Sequence, residues 1–249
     1  MKNLWQLVFS VALAYGAICA YLYFAQRSLI YFPTPARSAA AFDLAVEGAV
    51  LKVTARTREG SQALIYFGGN AEDVAMNLPE YTQAFPDHAL YLLHYRGYGG
   101  SSGEPTEAAL HADARALFEH VRARHPRVTL VGRSLGSGVA VRLAAMHEVE
   151  RLLLITPYDS IVNVAGFHYP WLPVNWLLHD RYESVLYAPQ VRAPTVILMA
   201  ENDRVVPRPL TESLQAAFAP GRSRLHLLPG TDHISIGSGA EFFRLLRSD

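Results

Sequence analysis

The stretch "TLVGRSLGSGVAVRLAA", residues 129–145, passes from an apolar, β-branched run to small and apolar residues at helical spacing, with Ser134 at the junction between Gly132 and Gly136. G-x-S-x-G at such a junction is the signature of a nucleophile elbow. The strand-to-helix turn is then so tight that the serine is strained and glycines are needed beside it. The same residue types also suit an ordinary turn. An elbow further requires a buried strand before it, a helix after it, and an acid and a histidine later in the chain, in that order.

The rest of the sequence supplies that context. "SLIYFP" and "AVLKVTAR" read as short opening strands and "ALIYF" as a buried one ending in Gly68-Gly69-Asn70. A helix interrupted or started by Pro79 follows, then the strand "ALYLLHY" and the glycine-rich loop "RGYGGSSGEP". Beyond the loop, Leu110, Ala114, Leu117 and Val121 mark one face of a long amphipathic helix. "RVTLVGR", "RLLLIT", "TVILMA" and "RLHLLP" complete the strands, and "AEFFRLLR" reads as a last helix. Alternation of this kind predicts an α/β fold with a mostly parallel, doubly wound sheet and helices on both faces. At 249 residues, with no compositional shift beyond the amino terminus, the chain suits one such domain.

In an open parallel sheet, functional groups gather beyond the carboxyl ends of the strands. Asp203 stands in the first loop turn after "TVILMA", and His233 in the loop after "RLHLLP". The order Ser134, Asp203, His233 is that of the α/β-hydrolase triad. A serine hydroxyl needs a base that titrates near neutral pH, and the imidazole needs a carboxylate to orient it. Asp203 also suits a helix N-cap, His233 is one of ten histidines, and Glu201 and Asp232 are rival acids. The developing oxyanion is expected to meet the backbone N–H groups of Leu135 and Asn70, with Gly68 and Gly69 allowing close approach of the chain. "GGNAED" has no following Lys or glycine repeat to make it a phosphate loop.

The amino terminus is a different material. No charge falls in the 24 residues between Lys2 and Arg27, with Trp5 near one end and Tyr21 and Tyr23 near the other. As a helix, that stretch measures about 36 Å, against a hydrocarbon core of about 30 Å. Ile18-Cys19-Ala20 makes a poor cleavage site, so residues 1–26 are expected to be a retained membrane anchor and 27–249 the catalytic domain. The charge tally across the span is close to even. The short amino-terminal flank is expected to stay inside, with the domain on the outer, periplasmic or lumenal side.

The motifs "YFGGNAEDV", "HYRGYGGSSGEPTE", "GRSLGSGVA", "PYDSIVNVA", "YPWLPVNWLLHDRYES", "AENDRVVP" and "GTDHISI" resemble, together, the membrane-anchored α/β-hydrolases of the serine aminopeptidase-like and bud-emergence-suppressor-like branch. The resemblance spans nearly the whole chain, and an anchor followed by a segment similar to "RSLIYFPTP" belongs to it. It implies the α/β-hydrolase fold and serine hydrolase chemistry, with esterase or thioesterase activity common. Where many relatives have His-Gly-Asn, this chain has Gly68-Gly69-Asn70, which keeps the backbone contact and loses any role of that histidine.

Residues 157–191 lie between two strands and are too long for a plain connection, which predicts a cap. Its Phe167, Trp171, Leu172, Trp176 and Leu177 are able either to line an acyl pocket or to pack the cap onto the domain. The expected substrate is a small or lipid-like acyl ester or thioester. Acyltransfer and peptide cleavage by the same triad, or a non-catalytic binding protein, are the other classes. No cofactor is called for, the lone Cys19 excludes a disulfide and a cysteine-rich metal site, and the balance of 22 basic against 22 acidic residues gives no reason to expect nucleic acid.

Overall fold

The computed structural model describes residues 2–37 and 41–247. The described residues form one eight-stranded sheet in the order β1-β2-β4-β3-β5-β6-β7-β8. The strands are β1 (Phe42–Val46), β2 (Ala49–Arg56), β3 (Gln62–Phe67), β4 (Ala89–Leu93), β5 (Arg127–Arg133), β6 (Arg151–Ile155), β7 (Thr195–Ala200) and β8 (Ser223–Leu228). The β1–β2 and β2–β4 pairings are antiparallel, and all the others are parallel.

The central strands are apolar without alternation because both of their faces are covered. In β3, Ala63, Ile65 and Phe67 enter one core, and Leu64 and Tyr66 enter the other. The first core is closed by α3 (Glu107–Arg122), α4 (Leu135–Met146) and α8 (Arg208–Ala217). The second is closed by α2 (Leu78–Ala84) and α9 (Ala240–Arg247). Leu110, Ala114, Leu117 and Val121 of α3 are fully buried, as their spacing predicts, and the Thr106 hydroxyl caps that helix by accepting from Ala109 N–H at 3.1 Å. Pro79 starts α2 rather than interrupting it, in the first turn, where its missing N–H costs nothing.

One predicted strand is absent. Ser28, Leu29 and Ile30 of "SLIYFP" complete α1 (Lys2–Ile30), and Tyr31 to Pro33 are irregular. The helical hydrogen bonding runs one residue beyond Ile30, with Tyr31 N–H donating to Arg27 O at 2.8 Å, and Phe32, which precedes Pro33, is held out of helical geometry by the proline ring. The first strand is instead "FDLAV", paired with β2 through the two-residue turn Glu47-Gly48, with Gly48 at φ +71°.

From Asn3 to Ile30, α1 is long and apolar enough to cross a membrane, and its most apolar window is wholly unburied by the rest of the chain. The 26/27 boundary expected from charge therefore falls inside a continuous helix. Its carboxyl end is fastened to the expected cap segment, residues 157–191 between β6 and β7, which carries α5 (Ile161–His168), α6 (Val174–Leu177) and α7 (Ser184–Tyr187). Gln26 is buried, donating to Leu177 O at 2.9 Å and accepting from His179 N–H at 2.7 Å. Arg27 Nε lies 3.5 Å from Asp180. Burial pushes the Tyr31 hydroxyl far above the tyrosine range, so it stays protonated and donates to Asp180 Oδ2 at 3.0 Å.

Candidate active site

Ser134 follows β5 directly and begins the turn into α4 with φ +47° and ψ −115°, a region that non-glycine residues rarely occupy. Hydrogen bonds from both sides hold it there. Its N–H donates to Ile155 O of β6 at 2.9 Å, and its carbonyl accepts from Ser137 N–H at 2.9 Å and Ser137 Oγ at 2.6 Å. The flanking glycines are steric necessities: a Cβ on Gly132 would stand 2.6 Å from Gly136 O, and one on Gly136 only 2.1 Å from Phe67 O. The first turn of α4 thus lies against the end of β3, which brings the loop after β3 to the serine.

The carboxyl ends of three parallel strands converge here. His233, beyond β8, has Nε2 at 2.9 Å from Ser134 Oγ and Nδ1 at 2.8 Å from Asp203 Oδ2. Asp203, beyond β7, has a side chain only 5% exposed. Its other oxygen accepts from the N–H groups of Val205 and Val206, at 2.8 Å each. That oxygen caps a turn, as a capping aspartate would, and so turns the remaining one towards the imidazole. The rival acids are engaged elsewhere: Glu201 accepts from Gly230 N–H at 2.8 Å, and Asp232 closes a local turn. The hydrogen bonds from Ser235 and Ile234 hold the Asp232 carboxyl below its ordinary range.

The Gly68–Asn70 loop runs past the serine, with a Cβ position on Gly69 3.6 Å from Ser134 Cβ. Gly69 N–H is taken by Glu72. The N–H of Leu135, in the first turn of α4, has no acceptor within its own helix. The Asn70 side chain has a task the sequence did not reveal. Its Nδ2 donates to Ile30 O, and its Oδ1 accepts from Phe32 N–H at 2.9 Å and Tyr98 O–H at 2.7 Å, tying the loop to the end of α1.

Glu72 and Arg133 were also missed. Glu72 Oε1 accepts from Tyr66 O–H at 2.7 Å and lies 3.6 Å from Arg133, whose other nitrogen donates to Ile234 O at 2.9 Å. This pair braces the loop after β3 against the loop that carries His233. The available signal was a charged residue, Arg133, following the uncharged run 128–132 at the inner end of its strand, where it must find a partner when buried. Of the cap residues, Phe167, Trp171 and Trp176 are 59, 57 and 86% exposed, and Leu172 and Leu177 are half-buried. The three aromatic side chains therefore line no enclosed pocket.

A strained serine after a central parallel strand, with a histidine and a buried carboxylate in line behind it, defines a serine hydrolase of the α/β-hydrolase class. Residues 76–234 match the family described as Serine hydrolase (FSH1). An uncharacterized protein of Mycobacterium tuberculosis is 35% identical over 242 residues, covering 90% of this chain and 85% of that protein. Protein bem46 of Schizosaccharomyces pombe is 25% identical over 211 residues, 79% of this chain and 69% of that protein. Mouse alpha/beta hydrolase domain-containing protein 10 shares the fold, with a TM-score of 0.64 at 18% identity over 82% of this chain and 94% of that one. The chain belongs to this serine hydrolase family, in the bud-emergence-suppressor-like branch of the α/β-hydrolases.

Proposed function

We infer that the protein cleaves carboxylic esters or thioesters through an acyl-enzyme on Ser134. The reading is carried by the line of hydrogen bonds Ser134–His233–Asp203, at 2.9 and 2.8 Å. With Nδ1–H donating to Asp203, the neutral imidazole presents a bare Nε2 to the serine hydroxyl. His233 takes the Ser134 proton as Oγ attacks the acyl carbonyl. The backbone N–H groups of Leu135 and Asn70 receive the oxyanion, and the imidazolium returns the proton to the leaving alcohol or thiol. A water deprotonated by His233 then releases the acid and regenerates the serine.

The elements of this mechanism need no cofactor, and the substrate is a small or lipid-like acyl compound. In short-chain p-nitrophenyl esters and their thioester counterparts, the expected product is the free carboxylic acid, with or without an added alcohol. A dominant new ester in the presence of the alcohol would make the protein an acyltransferase instead.

The reading extends to location. α1 anchors the protein in a membrane, with Lys2 inside and the hydrolase domain on the outer face. Protease added to intact spheroplasts is expected to digest the full-length protein, and protection until the membrane is broken would reverse the orientation.

A further inference from the structure

Tyr15 lies at the middle of the charge-free stretch of α1 that Lys2 and Arg27 bound, and it is bonded to the cap. Its hydroxyl donates to Trp171 O at 2.8 Å, and the two rings stand 6.5 Å apart. From Lys2 to Tyr15 the helix rises about 20 Å, short of the roughly 30 Å of a hydrocarbon core. A span that kept the cap in water would have only that half of the stretch available. If α1 crosses, the part of the cap beside Tyr15 goes into the bilayer with it.

The cap is built for such a place. Residues 161–178 contain no Asp, Glu, Lys or Arg. Phe167, Tyr169, Trp171 and Trp176 are each more than half exposed, although they are aromatic. Lipid offers no partner to a free amide, so backbone groups placed there must be satisfied internally. At this edge the N–H groups of Leu172, Val174, Trp176, Leu177 and Leu178 are bonded within the segment, and Pro170 and Pro173 have none. The carbonyls of Trp171 and Leu177 are taken by Tyr15 and Gln26 of α1. Polar groups return together at one level: Gln26 and Arg27 on the helix beside His179 and Asp180 on the cap. Aromatic side chains favour the depth just below such a polar band.

We propose that the 167–176 edge of the cap is sunk into the same leaflet as the upper half of α1, so that the cap is a second membrane contact. This rests on the reading of α1 as a span. The surface opposite the cap edge is lipid, and the hydrolase domain is held with its cap against the bilayer. The edge has no charged residue of its own, Arg181 reaching it only from the flank to donate to Asn175 O at 3.0 Å. This and its continuity with the span favour lipid over a protein partner, which would ordinarily be met by some charged or hydrogen-bonding rim.

Three tryptophans make the test direct. Full-length protein and its Trp5→Phe variant are placed in phosphatidylcholine nanodiscs with chains brominated near the headgroup or near the middle. The variant reports Trp171 and Trp176, and the difference from the unaltered protein reports Trp5. Loss of emission from the variant with bromine near the headgroup, and little quenching by aqueous iodide, is the expected result. Quenching of Trp5 with the cap pair open to iodide would overturn the cap contact and leave the anchor standing. Shielding of the cap pair from both quenchers would mean that protein, another chain or a second copy, covers the edge, and would also overturn it. Failure of lipid to quench either group would remove the anchor and the cap contact together.

Discussion

Ser134→Ala is expected to abolish labelling by a fluorophosphonate probe and to lower turnover of a short acyl ester by about 10⁶-fold, since the covalent step has no other hydroxyl to use. Far-ultraviolet circular dichroism and the melting temperature should stay near those of the unaltered protein. The backbone bonds from Ser134 to Ile155 and Ser137 do not involve its side chain, and alanine adds no atom to the turn. Equal labelling of the variant would move the nucleophile elsewhere.

The second large effect concerns the acid. Asp203→Asn is expected to lower kcat by about 10⁴-fold with the fold retained. The amide oxygen of the new side chain can still accept from Val205 and Val206, where Asp203 Oδ1 now does. Its NH₂ group then faces Nδ1 of His233. That nitrogen must become the acceptor, the proton moves to Nε2, and the imidazole can no longer take a proton from Ser134. Glu201→Gln and Asp232→Asn should leave turnover near its starting value, because Glu201 is engaged with Gly230 N–H and Asp232 with its own local turn. Unchanged turnover in Asp203→Asn together with a large loss in Glu201→Gln would transfer the role.

The parallel sheet could be read from continuous apolar runs because a strand covered on both faces has no polar side to show. Ser134, Asp203 and His233 could be picked out because each lies in the connection that follows a strand, and parallel strands bring their carboxyl ends to one edge. The opening of the chain was less legible. "SLIYFP" has the residue types of a strand, yet a helix already under way takes its first three residues and ends at Ile30. The Glu47-Gly48 turn was a usable hairpin signal, but β1 is only five residues long and half-exposed.

By itself, the sequence determined the features set by near neighbours. The glycines at positions 132 and 136 permit the elbow, the spacing in α3 aims one face at the sheet, and the uncharged stretch makes α1 a candidate span. Only the tertiary structure decided which polar side chains answer one another across the fold. Gln26 meets Leu177, 151 positions along the chain, and Asn70 reaches back to Phe32, 38 positions away. Arg133 is likewise matched with Glu72, at the far side of the loop beside Ser134. In a one-dimensional pattern, each of these resembles an ordinary solvated residue. A buried polar group must be paired, but its partner is chosen by the path of the chain and leaves no periodicity to read.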